Sequence, residues 1–539
     1  RRIFREKVNV NICAIQESND LSGEAAGYPA NPGETGNPVQ TEDIEYLINI
    51  FHDAKEYGSI LEVKPVDFEA VERSLGELGS KEAENFFAYT RRNEILDKMP
   101  HLIKQAKIMS QKYDVVVTNP PYMGGKGMNI KLANYAAKNY PDSRGDLYAV
   151  FMELGRAYLK RYGYMAMINQ QSWMFLTSYN ALREKIINSN TIINMMHLGP
   201  HAFEEIGGEV VQTTAFVLGN YSLPGYAGYY IRLVDIDSPR QKETEALRSI
   251  HEKKCYKTSG KTFLSIPGRT IAYWVSPRTV EILSGSCLLS SIAEARKGLI
   301  TSDNQRFLRL WHEVDINRIG FNMKNSTMAT NSGRKWFPYI KGGAYRKWYG
   351  NYEYVVNYEN DGEELKEWIK ELTKDKPGGR IINKEYYFRK GITWSSIGTK
   401  KTSFRFVGEG SIYSNTGMGI FSGKYNLYTL TGFLNSKVAG YLLQIISPTM
   451  GFEAIYISRM PVLLNPGMQV NDTVVDLVKQ NIAAAKTDWD SFETSWDFKK
   501  HPLLACKGSS TTVEQAFGNW WFFAEKQFNR LKANERELN

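Results

Sequence analysis

The chain has 539 residues, of which 42% are hydrophobic and 13% aromatic, with 67 Lys and Arg against 58 Asp and Glu and a formal charge of +9. One hydrophobic core does not serve that length, so two or three domains are expected, and no apolar run reaches the ~18 residues of a membrane-spanning helix. Four scattered cysteines, Cys13, Cys255, Cys287 and Cys506, form no CxxC pair, which argues against a disulfide scaffold or metal site and for reduced thiols in a cytoplasmic protein.

Both ends of the sequence are charged and lack capping or stop residues, so they read as cuts through longer elements and a fragment of a larger protein is expected. Val8 to Ile15 alternates at period two and reads as a strand whose polar end carries Glu17. Residues 20–42 read as a polar loop, and 43–61 and 66–110 as mainly helical. Asp53 with Glu62 and Lys64 mimics the Asp…Glu-x-Lys pattern of metal-dependent nucleases, but no proline precedes Asp53 and its surroundings look helical.

Tyr113 to Val117 is a short β-branched run, the pattern of a fully buried parallel strand. It ends in Thr118-Asn119-Pro120-Pro121-Tyr122, where two prolines force the chain out of the sheet. The carboxyl end of a strand is where open α/β sheets bind ligands. Gly124, Gly125 and Gly127 then allow close backbone approach. The chemistry of the corner follows from its residue types. The Asn119 side-chain oxygen and the Pro120 carbonyl can accept both hydrogens of an exocyclic amine. Its nitrogen is thereby pushed toward tetrahedral geometry, and the lone pair is freed to attack a methyl group. Pro120 and Pro121 fix that carbonyl in advance, which is preorganisation rather than acid–base power. Tyr122 offers a ring on which an extruded base can stack. A proline-rich turn after a strand is the plainer reading of the same four residues.

Beyond the corner, Leu147, Phe151, Leu154 and Tyr158 recur at helical spacing. Gly163 to Ile168 reads as a strand, Tyr179 to Asn188 as a helix and Thr191 to Leu198 as a strand. Val210 to Leu218 reads as half of an antiparallel hairpin at the sheet edge. This rhythm is that of a doubly wound α/β sheet. His197 and His201 fall on no common helix face and read as structural.

Asn119-Pro120-Pro121-Tyr122 resembles motif IV of the amino-methyltransferases that use S-adenosylmethionine. The order of corner, Asp-Leu-Tyr helix, Gly-Tyr strand, Ser-Trp turn and edge strand is similar to that of the DNA adenine-N6 methyltransferases. The longer stretches NPPYMGGKGMN, NYPDSRGDLYAVF, QSWMFL and HAFEEIGGEVVQTTAFVL resemble the PglX-type methyltransferases of bacteriophage-exclusion (BREX) defence systems. The resemblance implies a Rossmann-like S-adenosylmethionine-dependent methyltransferase sheet with its N-terminal part missing. It implies adenine-N6 methylation of double-stranded DNA and other phage-defence proteins as partners. By the same resemblance Asn119, Pro120, Pro121 and Tyr122 are catalytic, and Tyr122 and Phe203 form the two faces of a base sandwich, with simple core packing as the alternative for Phe203. Asp146 and Tyr148 are expected at the cofactor, as is Glu17 at the end of its strand. Trp173 matches another recurring position, with simple core packing as the alternative. The glycine-rich turn that seats the cofactor's methionine part is not found before residue 113. Phe406 to Ser411 is the nearest look-alike, in surroundings of a different kind, and the turn is expected outside this sequence.

Lys297 to Phe307 resembles the entry to a target-recognition domain. Beyond it Arg334-Lys335, Arg346-Lys347 and Arg389-Lys390 interleave with aromatic residues and are candidate DNA contacts. Edge strands with snorkelling cations give the same pattern. The expected organisation is a partial methyltransferase domain over 1–222, an α+β recognition domain over 223–470 and a helical region over 471–539 carrying Trp489, Trp496, Trp520 and Trp521. Two further readings stand beside adenine methylation: a DNA-binding specificity module without its own catalysis, and a methyltransferase acting on a protein glutamine.

Overall fold

The computed structural model describes residues 10–21, 38–80, 86–204, 211–373, 381–397, 402–448, 451–463 and 471–539. The chain divides between Leu264 and Ser265 into two compact units. The first thus runs past residue 222, because two further strands extend its sheet.

In the first unit β1 (Tyr113–Thr118), β2 (Leu159–Gln170), β3 (Thr191–Gly199), β4 (Thr213–Gly219), β5 (Ala227–Arg232) and β6 (Tyr256–Ser259) form one sheet in the order β1-β2-β4-β3-β5-β6. β1 and β2 are parallel, as are β3 and β5. β4 runs antiparallel to both β2 and β3, and β6 antiparallel to β5. Consequently β1, β2, β3 and β5 point the same way, and their carboxyl ends share one side of the sheet. The hairpin expected at the edge is instead interior. β4 carries Phe216 and Leu218 directly opposite Met167 and Met165, and all four are buried, which an edge position would leave half wet.

The reverse correction applies to β1. It was expected to be fully buried, yet it is the edge strand among the described residues, paired only with β2. Val115 and Val117 are 57% and 72% exposed. The β-branched run specifies a strand, but not which neighbour covers it.

The helices are α1 (Pro38–Ile50), α2 (Ala54–Tyr57), α3 (Phe68–Ser80), α4 (Phe86–Ser110), α5 (Ile130–Asn139), α6 (Leu147–Ala157) and α7 (Asn180–Ser189). Phe51, Val71, Met99, Leu102 and Ile103 build a separate helical core. α6 lies close on β2 through Gly155, where a Cβ would fall 2.6 Å from Met165 Sδ and 3.0 Å from Met167 Cε. Of the expected stripe on α6, Leu147 and Leu154 are buried while Phe151 and Tyr158 are half-buried, the last as the C-cap. The strand expected over 8–15 is not formed: residues 10–15 carry no strand, Val10 and Ile12 are exposed, and 8–9 lie outside the described residues. Asp53 stands in the left-handed region (φ 56°) and pairs with Lys131 at 2.8 Å, a structural use of the nuclease-like aspartate.

The second unit is α+β. β7 (Cys287–Leu288) pairs with β16 (Pro461–Val462). β8 (Glu294–Arg296), β15 (Gly417–Phe421), β12 (Gly391–Ser395) and β13 (Phe404–Val407) form one four-stranded sheet. β9 (Leu308–Leu310), β11 (Tyr354–Asn357), β10 (Trp336–Ile340) and β14 (Ile412–Tyr413) form another. The helix Lys437–Ile446 is capped by Ser436, whose hydroxyl accepts from the Ala439 N–H at 3.1 Å. Helices Asp472–Trp489 and Val513–Glu537 close the chain. Trp489 and Trp496 pack with Tyr352 and Tyr413, whereas Trp521 is exposed. The glycine look-alike at 406–411 belongs to this unit, with Phe406 stacked on Tyr428 at 4.8 Å. Among the described residues no helix is long and apolar enough to cross a membrane, and no His, Cys, Asp and Glu group could hold a metal.

Candidate active site

β1 ends at Thr118, and the next four residues turn away from the sheet at its carboxyl side. Asn119 and Pro121 are exposed, Pro120 is buried and Tyr122 is half-buried. The corner is thus anchored through Pro120 while its amide faces solvent. The Tyr122 hydroxyl donates to Asn119 Oδ1 at 3.2 Å and lies 3.4 Å from the Ile168 carbonyl on β2. A carbonyl oxygen accepts two hydrogen bonds, so this contact orients the amide and leaves one lone pair for a ligand. Among the described residues the Pro120 carbonyl accepts no hydrogen bond.

Beneath the corner lies a ladder of rings. Tyr122 meets Tyr148 edge-on, with centroids 6.2 Å apart and planes at 85°, and Tyr148 meets Tyr179 at 5.9 Å. Burial, followed by the nearby Asp146 charge, pushes the Tyr122 phenol up to about 12, so it stays a hydrogen-bond donor at neutral pH. Tyr148 is fully buried, and its hydroxyl meets that of Ser172 at 2.7 Å.

Asp146 ties the loop after the corner to α6. Its Oδ1 accepts from the Met123 N–H at 3.0 Å and from the Tyr148 N–H at 3.3 Å, capping the helix. The Met123 carbonyl accepts from the Leu147 N–H, and the Gly145 carbonyl from the Gly125 N–H, both at 3.1 Å. Burial raises the Asp146 carboxyl above its ordinary value, against the pull of these N–H groups. Asp146 and Tyr148, expected at the cofactor, thus also hold the corner in shape. The Gly125 side-chain position faces open space, so no protein neighbour demands a glycine there.

The carboxyl ends of β2 and β3 contribute a polar chain that the sequence reading missed. His197 Nε2–H donates to Gln171 Oε1, and Gln171 Nε2 donates to Gln212 Oε1 just before β4. His197 is buried, and burial first, then Arg232 and Lys242, lowers its pKa to about 3. It is a neutral, structural imidazole, as expected. The available signal was the run of polar residues, Gln170-Gln171 and Gln212-Thr213, at two strand termini. Asn169, next to Ile168, is fully buried with neither amide atom bonded among the described residues. Trp173 is fully buried against Phe216 at 5.3 Å, a core residue. Arg183 Nη1 donates to the carbonyls of Trp173 and Leu176 and holds the Ser-Trp turn.

Phe203 is half-buried four residues past β3, on the same side of the sheet as the corner. Glu17 is elsewhere engaged: its carboxylate lies 3.6 Å from Lys55 Nζ. Glu17, Asp146 and Tyr148 each have a partner within the protein, and the outer edge of β1 is unpaired among the described residues.

In the second unit the expected DNA contacts divide. Arg346 pairs with Asp488 at 3.3 Å and lies over Trp489, and Lys347 pairs with Glu535 at 3.3 Å. Lys335 lies 3.7 Å from Glu359. Arg334, Arg389 and Lys390 are exposed and form no ion pair among the described residues.

Residues 40–203 match the family described as Eco57I restriction-modification methylase. The whole chain aligns with two curated relatives. It is 37% identical to the adenine-specific methyltransferase PglX of Lacticaseibacillus casei (strain Zhang) and 36% identical to the adenine-specific methyltransferase BrxX of Escherichia coli O9:H4 (strain HS). In each case it spans 44% of the relative's length. Among solved structures, the Type IIL restriction-modification enzyme MmeI in complex with DNA is a distant likeness, at 12% identity and a TM-score of 0.45 over 79% of this chain and 53% of that one.

Proposed function

We propose that the chain, a segment of the PglX family of adenine-specific methyltransferases, carries the acceptor half of a site that methylates adenine N6 in double-stranded DNA within a BREX-type phage-defence system. The observation that carries this reading is the Asn119 amide, exposed at the end of β1 with its oxygen oriented by the Tyr122 hydroxyl. Asn119 Oδ1 and the Pro120 carbonyl accept the two amine hydrogens of a swung-out adenine. Conjugation with the ring is weakened, and the nitrogen lone pair becomes available. The cofactor S-adenosylmethionine, when bound, supplies an electrophilic methyl group. Tyr122 and Phe203 flank the base. Asp146 and Tyr148 stand on the cofactor side and fix the loop 123–125.

The mixed order β1-β2-β4-β3 fits part of a Rossmann-like sheet, and the exposed edge of β1 is where its remaining strands pair. The same exposed edge favours a second reading for the 539 residues alone. By themselves they bind DNA as a specificity module and leave the cofactor to the rest of the protein.

Labelled S-adenosylmethionine given to a full-length protein containing this chain should transfer its methyl to adenine in duplex DNA. Transfer only to a protein glutamine would overturn the DNA reading. The 539-residue chain should bind duplex DNA in a salt-dependent way yet bind the cofactor poorly.

A further inference from the structure

The second unit holds a concavity of about 750 Å³ beside edge strand β8, and five cationic side chains line it: Arg296, Lys324, Arg389, Lys390 and Lys424. All five are exposed. Against them stand two carboxylates, Glu294 and Glu409. Glu294 is already committed. It pairs with Arg296 and accepts from the Tyr386 hydroxyl at 2.6 Å, and these contacts hold its carboxyl below the usual range. Lys324, Arg389, Lys390 and Lys424 have no ion-pair partner among the described residues, unlike Arg346, Lys347 and Lys335 of the same unit. Unpaired cations splayed over a surface are ordinary solvation, but four converging on one hollow raise the local positive potential and gather polyanions.

The ligand class follows from the ring in the hollow. Tyr386 has the Arg296 and Arg389 guanidiniums over it at 5.5 and 5.6 Å, and Phe421 lies 4.7 Å away. Its faces are taken, so it offers no platform for a stacked base. Cations without a free stacking ring suit phosphate contacts, which fix register without reading sequence.

We propose that this hollow is a phosphate-backbone site for duplex DNA, gripped by Lys324, Arg389, Lys390 and Lys424, and that Arg346 and Lys347 are internal struts instead. The proposal rests on the DNA reading above and assigns that contact to a place.

The test is the salt dependence of duplex binding by the 539-residue chain. In the variant carrying Lys324→Gln, Arg389→Gln, Lys390→Gln and Lys424→Gln, the slope of log affinity against log salt should shrink by about 3 to 4, near 0.9 per lost phosphate contact. The loss should be equal for unrelated duplex sequences. Exchanging the three lysines for arginine should keep the slope, and Arg346→Gln with Lys347→Gln should leave it unchanged. A quadruple variant with an unaltered slope and affinity would overturn this site while the DNA reading stood. Loss of heparin binding with duplex binding intact would also overturn it and make the hollow a site for another polyanion. No duplex binding by the unaltered chain would sink the DNA reading itself.

Discussion

In the first unit the strand leading into the corner leaves Val115 and Val117 exposed, whereas in the second unit every residue of β15 is buried. β12 is nearly as closed, with Trp394 fully buried and its indole N–H donating to the Phe452 carbonyl at 2.6 Å. Both sheets are rich in β-branched and aromatic residues, so composition does not separate them. Closure does. In the second unit the interior strands β12 and β15 are covered, while in the first the edge strand β1 leaves Val115 and Val117 open beside the Asn119 corner.

The contrast can be broken by substitution. Trp394→Ala removes a fully buried ring and should cost about 3–5 kcal/mol in urea unfolding of the second unit. Asp146→Ala should cost the first unit about 1–2 kcal/mol, because the Tyr148 N–H at the helix start and the Met123 N–H in the loop after the corner lose their acceptor. The corner should loosen with it, read as faster amide exchange at Met123 and Tyr148. His197 tests the polar chain. Its pKa of about 3 in the fold lies below the ordinary 6.5, so the unfolded chain takes up the proton first as pH falls. The stability contributed by the neutral imidazole is present above pH 6.5 and is lost toward pH 3, by about 1.4 kcal/mol per pH unit. His197→Gln should flatten that dependence in melts between pH 4 and 6.5. The smallest effect belongs to β1: Val117→Thr should stay within about 0.5 kcal/mol in the isolated chain. A cost approaching that of Trp394→Ala would mean that β1 is covered in solution, and the comparison would fail.

The sequence made the strand–corner–helix order legible because short-range physics controls it. A β-branched run, two prolines and an Asp cap act within a few residues, and β1, β2, β3, α6 and α7 all lie close to their expected places. What failed depended on distant partners. Nothing local in Tyr113 to Val117 distinguishes an edge from an interior strand, and nothing in Val210 to Leu218 tells that β4 threads between β2 and β3. The same limit governed the site. Asn119 and Tyr122 were visible from their own chemistry. The tie from Gln171 to His197, and the use of Asp146 and Tyr148 as supports, arise only when three strand ends meet. Charge clusters showed it most clearly, since Lys347 and Lys390 look alike in sequence and, among the described residues, only Lys347 pairs with a carboxylate.

The account depends most on the Asn119 amide. In a full-length protein containing this chain, N6-methyladenine formation and duplex binding should be measured side by side for the native protein and for Asn119→Ala. Loss of the oriented oxygen should cut methyl transfer at least about 100-fold, the scale of a lost preorganised hydrogen bond, with duplex affinity unchanged. Undiminished transfer by Asn119→Ala would contradict the assignment of this corner to the target amine.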